Sequence, residues 1–141
     1  MTSETIIISV GGSLIVPDQI DVSFLKSFRD LILKQLKKGK RFVIICGGGK
    51  TSRRYQEAAR SIAGLTKEDI DWIGIHATRI NAHLMRTFFY KYAHPRIVKN
   101  PLEKIDFKEK ILIASGWKPG FSTDYDAVLL ARNFKVKNLV N

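Results

Sequence analysis

The sequence predicts an α/β fold in which a mostly parallel sheet is sandwiched between helices in three layers. Five apolar runs alternate along the chain with segments whose apolar residues recur at helical spacing. The apolar runs are continuous, which is typical of parallel strands covered on both faces. With 141 residues, 45% of them hydrophobic, the chain is long enough to form one globular domain with its own core.

The first half of the chain predicts two strands, each followed by a helix. Thr5–Val10 is a β-branched run, and the helix after it takes Asp21 as its N-cap. Arg41–Cys46 is the second strand, and the helix that follows covers residues 50–63 and stops at Gly64. The apolar residues of the first helix fall on one face: Phe24, Leu25, Phe28, Leu31 and Ile32.

The second half predicts a long helix, three more strands and one more helix. Thr66 with Asp69 resembles a capping box, and the helix that it begins extends to about Tyr92. The strands cover residues 96–98, 110–114 and 137–140, and the last helix covers Thr123–Asn133. The final run resembles a central strand, from which a parallel sheet normally continues into another crossover. We therefore expect the chain to be part of a larger protein, truncated before a further half-sheet.

The charge balance is strongly basic, with a net charge of +11 and a pI near 10. The largest basic run, residues 34–41, closes a predicted helix, where cations offset the helix dipole and Gly39 occupies the position of a C-terminal cap. We interpret this run as a solvated helix end and not as a nucleic-acid patch, which needs a basic face. The remaining excess of cations suits anionic substrates.

Several classes of protein are not predicted. No apolar stretch approaches the ~20 residues of a membrane helix, and the first four residues lack the pattern of a signal peptide. Cys46 is the single cysteine, so a disulfide framework within the chain is excluded and a cytoplasmic location fits best. His76 and His83 share a helix face, but no third ligand accompanies them, so no metal site is predicted.

Three predicted strands end in glycine-bearing loops that lead towards helices. These loops are Gly11-Gly12-Ser13, Gly47-Gly48-Gly49-Lys50, and the segment from Gly116 to Thr123. Glycine lets the backbone approach an anion closely, and the helix start behind it supplies unpaired N–H groups. Ligands of open α/β sheets bind beyond the carboxyl ends of the strands, so three such loops at one edge favour phosphate binding over ordinary turns.

In combination, these motifs resemble the amino acid kinase superfamily, and specifically its uridylate kinases of the archaeal type. Residues 9–13 resemble the nucleotide-phosphate loop, and residues 47–55 resemble the second glycine loop. Residues 71–82, Asp-Trp-Ile-Gly-Ile-His-Ala-Thr-Arg-Ile-Asn-Ala, are similar to the helix beside the UMP ribose. Residues 116–124 resemble the acceptor loop. The resemblance is ordered and covers essentially the whole chain.

The resemblance implies phosphoryl transfer from ATP with Mg²⁺ to UMP, giving UDP, in a homo-oligomer that is commonly a hexamer. It places residues 1–141 in the acceptor-binding part, without the later strands that bind the adenine, and it identifies no catalytic residue. The implied ATP contacts are Gly12, Ser13, Gly49 and Arg53. The implied UMP contacts are Gly48, Asp71, Trp117, Lys118, Pro119, Gly120, Phe121, Ser122 and Thr123.

Alternatives remain open for the residues and for the function. Asp71 would serve equally as a helix cap, Trp117 as loop packing, and Arg53 and Arg54 as solvated residues of a first helical turn. Thr123 with Asp124 would form an ordinary N-cap pair. The nearest rival activity is that of an isopentenyl phosphate kinase, and a non-catalytic nucleotide-binding module is the rival from another class.

Overall fold

The computed structural model describes residues 4–141; Met1-Thr2-Ser3, which belong to the signal-peptide argument, lie outside the described residues. The order of helices and strands along the chain is β1 (Thr5–Val10), α1 (Gly12–Ile15), α2 (Val22–Lys37), β2 (Arg41–Cys46), α3 (Gly49–Ile62), α4 (Lys67–Phe88), β3 (Ile111–Ala114), α5 (Thr123–Asn133) and β4 (Asn138–Val140). One or two helices separate successive strands, and the short α1, which contains the predicted loop residues Gly12 and Ser13, is an element that the sequence did not predict.

The four strands form one parallel sheet in the order β3-β2-β1-β4. β1 pairs with β2 along its whole length, from Thr5 opposite Arg41 to Val10 opposite Cys46. Since every strand runs in the same direction, the carboxyl ends of β1, β2 and β3 lie side by side at one edge. The three glycine-bearing loops follow these three ends, and the sheet therefore brings them together.

Two apolar cores cover the two faces of the sheet, which confirms the three-layer arrangement. Alternate residues of β2 point to opposite faces, so Ile44 belongs to one core and Val43 to the other. The first core is completed by α2 and α4 and includes the fully buried Met85. The second is completed by α5, through Leu130, and by Phe107. Both faces of β2 and β3 are buried, as their continuous apolar sequences require.

The helix starts follow the predicted capping chemistry with one change. The Asp21 carboxylate accepts a hydrogen bond from Phe24 N over 2.9 Å at the start of α2. The Thr66 hydroxyl accepts from Asp69 N at the start of α4. At α5 the N-cap is Ser122, whose hydroxyl accepts from the amide of Tyr125, so the cap is not the pair Thr123 and Asp124.

Residues 96–98 do not form a strand, although they were predicted as the third of five. They run beside β3, and of these residues Val98 alone makes an isolated bridge, to Ala114. The preceding Pro95 has no N–H to donate, and the amide of Arg96 donates to the His94 imidazole instead of to the sheet. The predicted long helix also ends earlier than expected, at Phe88, because the chain must turn there to meet β3.

Two smaller differences concern burial. Leu31 belongs to the predicted apolar face of α2 but is 54% exposed, whereas Leu25 and Ile32 are buried. β4 lies at an edge of the described sheet, beside β1 alone, and all three of its residues are exposed. Within residues 4–141, no helix is both long and apolar enough to cross a membrane.

Candidate functional site

The first and second glycine loops touch each other at the carboxyl edge of the sheet. A Cβ atom on Gly12 would lie 2.0 Å from Gly49 N, and one on Gly47 would lie 2.5 Å from Gly12 N. Gly49 also has a φ of +64°, which side-chain-bearing residues rarely adopt. These glycines are therefore required for backbone-to-backbone packing of the two loops, a role that the sequence alone did not indicate.

The start of α3 is free of side-chain capping. Its N-cap is Gly48, which has no side chain to accept from the first-turn amides. Lys50 N donates to Val16 O, so that amide is satisfied within the protein. The other first-turn amides and the positive end of the helix dipole remain available to an anion at this point.

Helix α4 holds the second and third loops through three positions of one face. Asn81 donates from its side-chain amide to Gly47 O and to Gly48 O, over 2.9 and 3.1 Å. The Thr78 hydroxyl accepts from Gly116 N over 2.8 Å. Gly74 allows α3 to pack closely, because a Cβ there would lie 2.8 Å from Gln56 Nε2. One helix thus fixes the geometry between two loops that are distant in sequence.

Between α3, α4 and the third loop lies a cleft of about 440 Å³, within the usual size range of small-molecule sites. Its charged side chains are Arg53, Lys67, Lys118 and Asp71, so three cations face one carboxylate. The cleft is lined by Gly48, Gly49, Ser52, Arg53, Gln56, Lys67, Asp71, Gly74, Ile75, Thr78, Gly116, Lys118, Pro119, Gly120, Phe121, Ser122 and Thr123.

Most residues predicted from the sequence meet at this cleft. From the acceptor set these are Gly48, Asp71, Lys118, Pro119, Gly120, Phe121, Ser122 and Thr123, and from the ATP set they are Gly49 and Arg53. Asp71 lies in the second turn of α4 and not at its N-cap, which is Thr66, so the capping alternative for Asp71 is wrong. Gly12 and Ser13 lie outside the lining, as the first two residues of α1, where Gly12 packs against the second loop.

Trp117 also lies outside the cleft lining. Its ring packs on Phe121, with centroids 4.8 Å apart, and the Lys118 ammonium lies 4.2 Å from the Trp117 centroid. Arg79 donates to the Trp117 carbonyl. The tryptophan therefore supports the loop from behind, as the packing alternative expects, and its predicted contact with UMP stays a prediction.

The two neighbouring arginines of α3 have different surroundings. Arg54 forms an ion pair with Asp18 and donates to the Asp18 carbonyl. Arg53 lines the cleft, and within residues 4–141 its guanidinium has no hydrogen-bond partner. Arg53 is thus the arginine of this pair that is positioned to meet an anion.

The sequence predictions omitted several lining residues: Ser52, Gln56, Lys67, Gly74, Ile75, Thr78 and Gly116. Ser52 and Gln56 are four apart on α3, and Gly74 and Thr78 are four apart on α4. Residues four apart lie on the same face of a helix. Small or polar residues at this spacing were the sequence feature that could have identified these lining positions.

A second set of polar groups lies beneath the third loop. The Ser9 hydroxyl, at the end of β1, donates to Asp124 over 2.9 Å. Asp126 is fully buried, and neither of its carboxylate oxygens has a hydrogen-bond partner among the described residues. Burial raises the pKa of Asp126 from its ordinary value of 3.8 to about 6, and the Trp117 backbone amide, which lies near the carboxylate outside normal hydrogen-bond geometry, opposes this rise in part.

The donor set of the cleft fits a phosphate. Within residues 4–141 no group of three or more His, Cys, Asp or Glu side chains is found that could hold a metal ion. The cleft has an uncapped helix start, an unpartnered guanidinium and two further ammonium groups, which are suited to phosphate oxygens.

Comparisons with known proteins identify the family of this chain. The model of the amino acid kinase family matches residues 4–141. A uridylate kinase from Thermoplasma volcanium is 38% identical over 141 residues, covering 99% of this chain and 60% of the relative. One from Methanocorpusculum labreanum is 36% identical over 138 residues, covering 96% of this chain and 58% of the relative. This chain therefore spans about three fifths of the length of the curated relatives it matches.

A solved structure shares the same fold. The crystal structure of the uridylate kinase from Archaeoglobus fulgidus superposes with a TM-score of 0.81 at 27% sequence identity, covering 96% of this chain and 61% of that one. The family match, the relatives and the shared fold all extend over nearly the whole chain. This chain therefore belongs to the amino acid kinase family.

Proposed function

We propose that this protein is a UMP kinase, that it transfers a phosphoryl group from ATP to UMP to give UDP, and that residues 1–141 form its acceptor-binding part. The observation that carries the proposal is the cleft in which the uncapped start of α3, the Asp71 carboxylate and the third loop face each other. The similarity to archaeal uridylate kinases supports the choice of acceptor.

The phosphate of UMP would lie at the start of α3. There the Gly48 and Gly49 backbone approaches the cleft without side chains, and the helix dipole favours a negative charge. The family resemblance implies Gly49 and Arg53 as ATP contacts, but both line the same cleft as the acceptor set, and we assign them here to the phosphate of UMP. Arg53, one turn further along α3, would bind two phosphate oxygens with its planar guanidinium. The two negative charges of the phosphate would be complemented by the amide and guanidinium donors at the start of α3.

The ribose would lie against α4. Asp71 is half-buried at the cleft wall and is its single carboxylate. A carboxylate has two acceptor oxygens and can therefore receive hydrogen bonds from two neighbouring hydroxyls at once. This arrangement favours a ribose over an isopentenyl phosphate, whose hydrocarbon tail needs apolar walls. The apolar side chains of the lining are few, namely Ile75, Pro119 and Phe121.

Phosphoryl transfer requires the acceptor-binding part of the protein mainly to position the acceptor and to neutralise charge. ATP, when bound, supplies the phosphoryl group, and the family resemblance implies Mg²⁺ as its companion. The residues of this chain would hold the acceptor oxygen in position and neutralise its charge through Arg53 and the α3 amides. These contacts are all made to the acceptor, and they orient it for in-line attack on the phosphoryl group.

The remaining parts of the proposal rest on the family resemblance. The adenine of ATP would be bound by elements that the relatives carry outside the matched three fifths of their length. Gly12 and Ser13 would contact the phosphates from the α1 side, and the active protein would be a homo-oligomer such as a hexamer. A cytoplasmic location agrees with Cys46, a free and buried thiol whose pKa burial raises to about 12.

Ligand selectivity tests this proposal. Isothermal titration calorimetry of the chain with UMP, uridine and isopentenyl phosphate compares the ligands that the cleft would distinguish. We expect UMP to bind more tightly than uridine by tenfold or more, an energy of about 1.4 kcal/mol or greater, because the phosphate end supplies charged donors. Equal affinity for UMP and uridine, or preference for isopentenyl phosphate, would contradict it.

A further inference from the structure

Most of the positive charge of this chain lies away from the cleft. The net charge is +11, whereas the cleft holds three cations and one carboxylate. Because the sheet is parallel, the amino ends of all four strands lie at the edge opposite the cleft. Exposed lysines precede three of these strands and form what we call the basic face: Lys37, Lys38, Lys108, Lys110, Lys135 and Lys137.

The strand register fixes the width of this basic face. Arg41 N donates to Glu4 O over 2.8 Å, and Phe42 N donates to Lys110 O over 2.9 Å, so these strand starts lie in one row. On the other side of β1, Lys137 directly precedes Asn138, the first residue of β4. Three steps of about 4.8 Å separate the outer strands, so the lysines span roughly 15 Å before their side chains extend.

The lysines of the basic face form no ion pairs within the described residues. Both ion pairs among residues 4–141 involve arginines elsewhere, and no lysine takes part in one. Three acidic residues lie in or beside the face: Glu4, whose carboxylate accepts from the Asn138 amide over 2.6 Å, and Asp106 and Glu109, which belong to the segment of Lys108 and Lys110. The six lysines outnumber these carboxylates, so the face keeps a net positive charge that attracts a polyanion.

Lys135 lies just after the C-terminal end of α5, within the basic face. Its φ is +54°, and among the described residues it is the single non-glycine residue with a positive φ. This left-handed conformation ends α5, because Val136 N donates to Ala131 O and Lys135 N donates to Arg132 O, the hydrogen bonds of a Schellman C-cap. The turn leads the chain into β4 and places the exposed Lys135 and Lys137 before the first residue of that strand.

We propose that the basic face binds the phosphate backbone of a nucleic-acid duplex. Lysine contacts phosphates as a point charge and does not form the bidentate base contacts of arginine, so binding would be independent of base sequence. The three lysine segments expose no large apolar or aromatic side chain. Stacking of single-stranded bases and insertion into a lipid surface therefore both lack the side chains that they need.

Under this proposal, residues 34–41 form part of a binding surface and not only the solvated helix end that their sequence suggests. In the sequence, this segment appears as an isolated basic run. Residues 108–110 and 135–137 lie far from it in the chain and join it only through the parallel sheet. The basic face that a nucleic-acid site requires is thus a property of the fold.

Fluorescence anisotropy with a labelled, mixed-sequence DNA duplex of about 20 base pairs, at about 50 to 200 mM KCl, tests the proposal. The variant is Lys110→Gln with Lys137→Gln. Its matched control is Lys26→Gln with Lys99→Gln, which removes the same charge from exposed positions outside the basic face. Circular dichroism melting of both variants establishes that they are folded.

We expect the basic-face variant to bind about tenfold to a hundredfold more weakly, with its salt slope reduced by about 2. The control variant should bind within about twofold of the original protein, and saturating UMP should leave duplex binding unchanged because the cleft lies at the other edge. Equal losses in both variants, displacement of the duplex by UMP, or binding to phosphatidylserine vesicles without duplex binding would each overturn the proposal. The comparison of the two lysine variants and the vesicle measurement do not depend on whether UMP is the acceptor.

Discussion

Asn81 donates a hydrogen bond from its side-chain amide to the backbone carbonyl of Gly47 over 2.9 Å. The two residues are 34 positions apart, and both are buried. The same amide reaches Gly48 O, the N-cap of α3, so one side chain on α4 sets the position of the helix start that faces the cleft. The site is therefore held from behind by a residue that does not line it.

Replacing Asn81 by alanine should destabilise the protein and weaken ligand binding together. The variant removes the side-chain donor of the Gly47 carbonyl and one of the donors of the Gly48 carbonyl, at a cost of about 1 to 3 kcal/mol in the free energy of unfolding. Because the start of α3 would shift, we expect UMP affinity to fall by about tenfold. Urea unfolding and calorimetry measure the two effects. Asn141→Ala, at an exposed position whose side chain makes no hydrogen bond among the described residues, is the control and should change neither.

Neighbouring glycines of the first loop should respond very differently to alanine. A Cβ on Gly12 would meet Gly49 N at 2.0 Å, whereas one on Gly11 would meet nothing within 4 Å. We expect Gly12→Ala to cost about 3 kcal/mol or more, because two backbones must separate, and Gly11→Ala to change stability by less than about 1 kcal/mol. Similar melting temperatures for the two variants would show that the loops do not touch as described.

The stability of the protein should depend on pH through Asp126. Burial raises the pKa of this carboxyl to about 6, so between about pH 4 and pH 6 the folded chain keeps a proton that the unfolded chain has lost. The contribution of Asp126 to the free energy of unfolding therefore falls as pH rises through this window, by about 3 kcal/mol at most, and is constant above it.

Asp126→Asn removes this titration. The variant should be more stable than the original protein above pH 6, and the difference should vanish near pH 4. Asp106→Asn, at an exposed position, should retain the original pH profile. Urea unfolding across this range measures all three proteins, and an unchanged pH profile in Asp126→Asn would exclude Asp126 as the source.

Two neighbouring arginines of α3 allow a matched test of phosphate binding in the cleft. Arg53 lines the cleft, while its neighbour Arg54 is occupied by Asp18. We expect Arg53→Gln to weaken UMP binding by about tenfold to a hundredfold and to leave uridine binding unchanged, since only the phosphate is lost as a partner. Arg54→Gln should leave both affinities within about twofold. Calorimetry with both ligands measures the contrast.

Much of the fold was predictable because its signals are local. Continuous apolar runs identified β1 and β2 with their observed limits, and Asp21 and Thr66 identified two helix starts. Residues 96–98 were misassigned because a short apolar run does not reveal whether its amides reach a neighbouring strand. The Arg96 amide donates to the nearby His94 imidazole and not to a strand.

The candidate site was predictable only in part, for a related reason. Strand ends with glycine loops indicated where the cleft lies, and Asp71 and the third loop followed from the family resemblance. Gly12 was expected to approach a ligand but packs on Gly49, and Thr78 was not singled out although it fixes Gly116. Both facts depend on which loops become neighbours in space, which a sequence does not display.

The central claim is that Asp71 binds the ribose of UMP within the cleft. The most direct measurement is calorimetry of UMP and 2′-deoxy-UMP with the original chain, with Asp71→Asn, and with Glu57→Gln as the control at an exposed position of α3. We predict that the original chain and the control prefer UMP over the deoxy ligand by about tenfold, an energy of about 1.4 kcal/mol, and that Asp71→Asn largely loses this preference. An undiminished preference in Asp71→Asn, or no preference in the original chain, would contradict the account.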